Sequence, residues 1–123
     1  MQIENIASHE PFAVGTGAGA GALARYALTA GLLALLPAAP HAAFLVTLGI
    51  NTVGSWAMGY FRPGPMLGTG FLGGFTTFSA LTVAAAQTNA ITALAYVLSS
   101  VLLCIAGWWL GDSARDRKEA KER

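Results

Sequence analysis

A run rich in glycine, threonine and phenylalanine, residues 70–79 with the sequence GFLGGFTTFS, carries the residue types best suited to chemistry. Gly73 and Gly74 are followed by the β-branched Thr76 and Thr77, and this combination weakens an α-helix. If the helix breaks here, its freed backbone carbonyl groups make a natural cation site. A flexible but continuous helix with glycines for packing fits the composition equally well.

Two phenylalanines flank the threonines of this run. Phe75 and Phe78 are three residues apart, so we expect them roughly on one side of the segment. Packing against lipid or core is the ordinary role of such rings. A phenyl ring also has a positive edge, so a ring turned edge-on toward a pore favours an anion without carrying a formal charge.

Polar side chains also recur every four residues on two further segments. They are Thr47, Asn51 and Ser55 in one segment and Tyr96, Ser100 and Cys104 in another. A hydroxyl bonded back to its own helix is the simpler explanation for each serine and threonine. An amide left unpaired in hydrocarbon costs several kcal/mol, so the sequence favours a functional or interface role for Asn51.

Arg25 stands within an otherwise apolar stretch. An arginine at the centre of a membrane helix costs about 2.5 to 3.5 kcal/mol, so such a residue either lines water or extends to an interface. We expect Arg25 to attract an anion into a vestibule or to hold helix ends, with a topology anchor as the alternative.

The elements that position these residues are predicted to be membrane helices. Residues 11–111 contain no Asp or Glu and only two charged side chains, Arg25 and Arg62, whereas a soluble domain carries about 25% charged residues. Four apolar segments, about 12–36, 42–61, 66–86 and 91–110, are separated by Pro, Gly and Asn clusters and do not alternate as barrel strands would. The sequence therefore predicts an all-α membrane protein with four transmembrane helices and the third helix broken near its middle. Residues 1–11 form a short tail before this domain (12–111), and residues 112–123 form a charged tail after it.

The predicted membrane helices limit the classes of function that the chain can have. Four short helices can scarcely enclose a polar path, so a pore or carrier implies an oligomer. No nucleophile, base and orienting acid converge in the apolar segments, so we expect no enzyme activity. The C-terminal tail mixes five Lys/Arg with four acids, and no nucleic-acid partner is expected.

Three motifs in order along the chain resemble the Fluc/CrcB family of fluoride channels. They are Gly21, Ala22, Arg25 and Tyr26; then Thr47 and Asn51; then the run from Gly73 to Ser79. The resemblance implies a passive, fluoride-selective channel that exports cytoplasmic fluoride and so confers fluoride resistance. It further implies a dimer of antiparallel chains in the cell membrane with two pores and a structural Na⁺ at the interface.

The resemblance also implies roles for individual residues. Backbone carbonyls matching Gly73 and Thr76 hold the Na⁺, the ring edge of Phe78 and the amide of Asn51 face fluoride, and Tyr96 and Ser100 match a polar track. The remaining residues expected along the fluoride path are Thr47, Phe75, Thr77, Ser79 and Arg25.

The sequence departs from the family pattern in ways that bear on the dimer. Leu81 stands where a second pore phenylalanine is expected, Ala80 where a hydroxyl is common, and Cys104 where a serine is expected, so one fluoride path is predicted to be degraded. Six Lys/Arg lie on the side of the two tails and Arg62, and none on the other side, which predicts both termini in the cytoplasm. These departures leave two assemblies open, an antiparallel homodimer and a heterodimer with an inverted relative.

Two other function classes fit four helices. A small multidrug-type cation exporter needs a membrane-embedded carboxylate, which residues 11–111 do not contain. A non-transporting scaffold subunit of a membrane complex would need none of the features of residues 70–79.

Overall fold

The computed structural model describes residues 2–36 and 38–123, with side chains from Glu10 onward, and this part of the chain is all helical with no strand. Three long helices are α1 (Gln2–Leu35), α2 (Ala42–Phe61) and α5 (Ala90–Lys121). Between α2 and α5 lie a π-helical segment (Met66–Leu72), α3 (Gly73–Phe75) and α4 (Ser79–Ala86). Four stretches are long and apolar enough to cross a membrane: Glu10–Leu35, Ala42–Phe61, Met66–Ala86 and Ala90–Lys121. The predicted fold class of four transmembrane helices is confirmed.

Local residue chemistry accounts for the helix ends around the third transmembrane stretch. α2 ends at Arg62, which takes a left-handed conformation with φ 43° immediately before Pro63 and donates its N–H to the carbonyl of Met58. α5 begins after Asn89, whose side-chain oxygen accepts the N–H of Thr92 at 3.0 Å, as an N-cap residue does.

Two helices run beyond the apolar segments seen in the sequence. α1 begins at Gln2 and passes through Pro11, so its helix includes most of residues 1–11. α5 continues to Lys121 through most of residues 112–123. A helix of that length spans about 48 Å, more than the roughly 30 Å of the hydrocarbon core, so its charged last turns extend past the apolar part.

The third transmembrane stretch, Met66–Ala86, is interrupted near its middle. Thr76 adopts an extended conformation with φ −85° and ψ 155°, and helical structure resumes at Ser79. This geometry is consistent with the predicted broken helix and places the interruption just after Phe75 rather than at the glycines.

Glycines bring the backbones into close contact, as small residues do at membrane helix interfaces. A Cβ atom on Gly21 of α1 would overlap the carbonyl oxygen of Phe71 in the π-helical segment. A Cβ atom on Gly111 of α5 would likewise overlap the carbonyl oxygen of Trp56 on α2. The fold is therefore built from two close backbone contacts, one joining α1 to the third stretch and one joining α2 to α5.

The buried side-chain core is small and most large apolar side chains face outward. The core consists of Phe44, Leu81, Ala85 and Tyr96, with the rings of Phe44 and Tyr96 stacked at 3.7 Å between centroids. The outward-facing apolar side chains suit a protein surrounded by lipid.

Candidate functional site

An open cavity of about 460 Å³ lies where α2, α5 and the interruption after α3 meet. We call it the polar cavity after the hydroxyl and amide side chains in its lining, of which the larger part is apolar. Its lining residues are Asn51, Ser55, Gly73, Thr76, Thr77, Phe78, Ser100, Val101, Cys104 and Ile105. None of these residues carries a formal charge, so hydroxyl, amide and backbone groups supply the polarity of this part of the structure.

Asn51 holds the interrupted backbone through a pair of hydrogen bonds. Its Nδ2 donates to the carbonyl oxygen of Thr77 at 2.7 Å, and its Oδ1 accepts the N–H of Thr77 at 2.8 Å. Asn51 is only 6% exposed. The amide that the sequence marked as costly to bury is thus satisfied by the main chain of the break, and Nδ2 retains a second N–H.

The hydroxyls of the break are also engaged with one another and with the backbone. Thr76 Oγ1 donates to the carbonyl oxygen of Leu72 at 3.0 Å, and Thr77 Oγ1 lies 3.0 Å from Ser79 Oγ. Thr77 Oγ1 also accepts the N–H of Ala80 at 3.3 Å. These bonds fix the side chains of the interruption without using the carbonyl oxygens of Gly73 and Thr76.

Those two carbonyl groups fit a hard cation. Across residues 2–36 and 38–123, no hydrogen bond reaches the carbonyl oxygen of Gly73 or that of Thr76. Oxygen atoms of unwound backbone are the ligands that membrane proteins offer to Na⁺. Within the same described residues no group of three or more His, Cys, Asp or Glu could hold a metal.

Arg25 reaches the same segment from α1. Its Nε lies 3.4 Å from the carbonyl oxygen of Gly74, 49 positions along the chain. Arg25 does not line the polar cavity. We expected Arg25 either to attract an anion or to hold helix ends. Its contact with a carbonyl oxygen near the end of α3 is consistent with holding helix ends.

The two phenylalanines that flank the threonines lie apart. Phe78 lines the polar cavity and is 62% exposed. Phe75 stacks on Phe71 and lines a separate apolar cavity of about 380 Å³ with Ile50 and leucines of α1. The expectation that they share one side is wrong, because the extended Thr76 between them removes the helical periodicity on which it relied.

Other predicted residues divide between two further environments. Thr47 and Ser79 line a second cavity of about 450 Å³ together with Thr29 and Gln87. Tyr96 is buried in the core, where its hydroxyl pairs with Nδ1 of His41. Of the residues named from sequence, the polar cavity brings together Asn51, Thr77, Phe78 and Ser100 with the proposed cation ligands Gly73 and Thr76.

Some residues of these environments were not assigned a site role from sequence. Ser55 and Cys104 line the polar cavity, and the four-residue spacing that placed them on the stripes of Asn51 and Ser100 was the available signal. His41 pairs with Tyr96 from the loop before α2, and no spacing in the sequence indicates that contact.

Comparison with known proteins identifies the family. Residues 12–112 match the family described as CrcB-like protein, Camphor Resistance (CrcB). The chain is similar to the Fluoride-specific ion channel FluC of Corynebacterium efficiens, with 43% identity over 107 residues that cover 84% of this chain and 69% of the relative. Fluoride-specific ion channel FluC 1 of Corynebacterium diphtheriae is 46% identical over 99 residues, 80% of this chain and 90% of the relative. FluC of Cereibacter sphaeroides is 40% identical over 115 residues, with 82% and 90% covered.

The four membrane-spanning stretches together with these relatives make the protein a multi-pass cell membrane protein. The three sequence motifs and the match over residues 12–112 agree, and the chain belongs to the CrcB family.

Proposed function

We propose that this protein is a passive fluoride-selective channel that exports cytoplasmic fluoride and so confers fluoride resistance. The observation that carries the proposal is the polar cavity at the interrupted helix. It presents uncharged donors and the exposed ring of Phe78, with Asn51 and Ser100 on facing helices. The relatives named fluoride-specific ion channels support the same activity.

The chemistry of the cavity suits a small halide. Fluoride is strongly hydrated, so a selective path must replace its water with hydrogen-bond donors and positive ring edges. Asn51 Nδ2 has a second N–H beyond the one given to Thr77, and the hydroxyls of Thr77 and Ser100 lie at the same cavity. Carboxylates would repel the anion, and none lines the polar cavity in the described part of the chain.

The working unit we propose is an antiparallel dimer with a structural Na⁺. Gly73 and Thr76 would each give the ion a carbonyl oxygen, and two oxygens are too few for a hard cation. A second chain would supply the remaining ligands, which places the ion at the interface. When bound, Na⁺ would supply a fixed positive charge that ties the two interruptions together.

The partner chain is either a second copy or an inverted relative. The positive charge on the side of both tails favours a single orientation with both termini in the cytoplasm, which opposes self-pairing of antiparallel chains. Reconstituting this chain alone and mapping its orientation separates the two assemblies. Saturating fluoride efflux from an antiparallel homodimer would refute the need for a relative.

Fluoride efflux from liposomes tests the function directly. Vesicles loaded with potassium fluoride and containing the purified protein are diluted into fluoride-free buffer, and a fluoride electrode follows the release after valinomycin clamps the voltage. A channel gives rapid efflux, and chloride-loaded vesicles give little. If the chain alone gives no fluoride efflux, the assay is repeated with its inverted relative in the same vesicles. Absence of efflux from that pair overturns the proposal.

A small multidrug-type cation exporter is a weaker alternative, because a carrier coupled to protons needs an embedded carboxylate and residues 11–111 contain none. A scaffold subunit that transports nothing would not need the polar cavity. The relatives are named as ion channels, and we propose no enzymatic role.

A further inference from the structure

We infer that the side chains of Asn51 and Thr77 are positioning groups for the cation site. They divert the two backbone N–H groups that would otherwise bond to the carbonyl oxygens of Gly73 and Thr76. This inference rests on the Na⁺ binding proposed above. It assigns to Asn51 a role in assembling the cation ligands in addition to any contact with the anion.

The hydrogen-bond pattern of an α-helix identifies the first diversion. In a continuous helix the N–H of Thr77 would bond to the carbonyl oxygen four residues earlier, which belongs to Gly73. Here that N–H donates to Oδ1 of Asn51 at 2.8 Å. The carbonyl oxygen of Gly73 is thereby left without a donor among the described residues.

The second diversion follows the same rule one turn later. The N–H of Ala80 would bond to the carbonyl oxygen of Thr76 in a continuous helix. It lies instead 3.3 Å from Thr77 Oγ1, which Ser79 Oγ holds at 3.0 Å. The two displaced N–H groups therefore correspond to the two carbonyl groups that the sodium would need.

Asn51 also lowers the cost of keeping the helix open. An unpaired N–H or C=O at membrane depth is costly, which normally drives the backbone back into a continuous helix. Asn51 satisfies both polar groups of Thr77, its N–H and its C=O, from a nearly buried position on α2. Without that amide, the acceptor that a continuous helix would give the N–H of Thr77 is the carbonyl oxygen of Gly73.

The experiment compares the sodium dependence of stability in variants of the full chain in detergent. The thermal unfolding midpoint is measured while Na⁺ replaces N-methylglucamine at constant ionic strength. The half-saturating Na⁺ concentration, which is the dissociation constant Kd, is obtained by fitting the rise in stability to RT ln(1 + [Na⁺]/Kd). Ligand binding to the folded state raises stability in proportion to the logarithm of ligand concentration, so this shift reports affinity without transport. The variants are Asn51→Ala, Thr77→Val and the matched control Thr77→Ser, which keeps the hydroxyl. Because a homodimer or a heterodimer is expected, the same series is run with the inverted relative where the chain needs one.

We expect Asn51→Ala and Thr77→Val to raise the half-saturating Na⁺ by about tenfold or more, and Thr77→Ser to leave it within about twofold. High Na⁺ should restore the midpoint of the Thr77→Val protein. If Asn51→Ala does not fold, the near-isosteric Thr77→Val and Thr77→Ser pair decides alone.

Two negative results are distinguishable. A wild-type protein that responds to Na⁺ while Thr77→Val keeps the same half-saturating concentration overturns this inference and leaves the proposed function standing. A wild-type protein whose unfolding midpoint is independent of Na⁺ overturns the sodium site and this inference with it. The proposed channel function is then tested separately by fluoride efflux from liposomes.

Discussion

Gly74 packs against Ala18 of α1 so closely that a Cβ atom on Gly74 would overlap the carbonyl oxygen of Ala18, whereas a Cβ atom on the neighbouring Gly73 meets nothing within 4 Å. The two adjacent glycines therefore face different surroundings. One is enclosed by this chain, and the other opens onto the polar cavity.

This difference predicts opposite effects of the same substitution. Gly74→Ala should destabilise the single chain by about 1 to 3 kcal/mol, because α1 and the third stretch must move apart. Gly73→Ala should leave the fold of the single chain intact and weaken the proposed dimer. Thermal unfolding in detergent measures the first effect, and the monomer fraction by size-exclusion light scattering measures the second. Equal behaviour of the two variants in both assays would contradict the prediction.

The polar cavity predicts that two residues on separate elements are needed for transport. Asn51→Ala and Phe78→Ile should each reduce fluoride efflux by at least about tenfold, because each removes a group at the cavity that can stabilise an anion. Phe12→Ile is the matched control, since Phe12 is 75% exposed on α1, away from the cavity. Efflux from vesicles containing equal amounts of folded protein is the measurement. Normal efflux from both cavity variants would show that the path runs elsewhere.

Leu81 stands where the family pattern has a second pore phenylalanine, but in this structure it packs in the core. It is only 1% exposed and belongs to the core with Phe44, Ala85 and Tyr96. Leu81→Ala should lower stability by about 2 to 5 kcal/mol by leaving a cavity. Leu81→Phe should also destabilise, by about 1 to 3 kcal/mol, because the site has no room for a larger ring.

Leu98→Ala is the control for these core variants, because Leu98 faces outward and is 52% exposed. Unfolding midpoints of the four proteins are compared in one detergent. If Leu81→Phe is as stable as wild type and raises fluoride efflux, the residue stands at a pathway position after all.

Cys104 provides a natural chemical probe of the polar cavity. Its thiol is partly buried and lies at the cavity with Ser100 on the same helix. An anionic methanethiosulfonate reagent should attach there and reduce fluoride efflux, since a fixed negative charge in the path repels the anion. Cys104→Ser should conduct and resist the reagent. Mass spectrometry confirms the modification, and full labelling without loss of efflux would place the thiol off the path.

Spacing along helices predicted a large part of this arrangement, and the interruption accounts for what it missed. The spacing placed Asn51 and Ser55 on one stripe of α2, and Ser100 and Cys104 on one stripe of α5, because both helices are continuous there. That these two stripes meet at the polar cavity comes from the structure. Across Thr76 the helical period no longer applies, so the directions of Phe75 and Phe78 could not be read from their separation.

Long-range contacts explain the remaining differences. Tyr96 follows the stripe of Ser100 by spacing, yet stacking on Phe44 and a bond to His41 hold it in the core. Thr47 likewise shares a stripe with Asn51, but it lies one turn closer to the N-terminus of α2, where it faces α4 rather than the interruption. The surroundings of Tyr96 and Thr47 are set by residues on other helices and loops. The spacing of residues along one helix does not show such neighbours.

Glu119 predicts a pH dependence for the end of α5 that lies outside the apolar part of the helix. The hydrogen bond from Arg115, 2.7 Å from Nε to Oε1, lowers the pKa of the Glu119 carboxyl below its usual 4.5, and the charge of Arg115 adds to this effect. A carboxyl whose pKa is depressed by folding stabilises the helix above its unfolded pKa, and this contribution disappears as pH falls through the folded pKa. Fraying of the last turns should therefore increase at acid pH below 4.5 and with added salt. A carboxyl-carbon NMR titration of Glu119 measures the pKa directly, and Arg115→Gln should return it toward 4.5 while Lys118→Gln leaves it lowered. An unchanged pKa in the Arg115→Gln protein would mean that another cation holds the carboxylate.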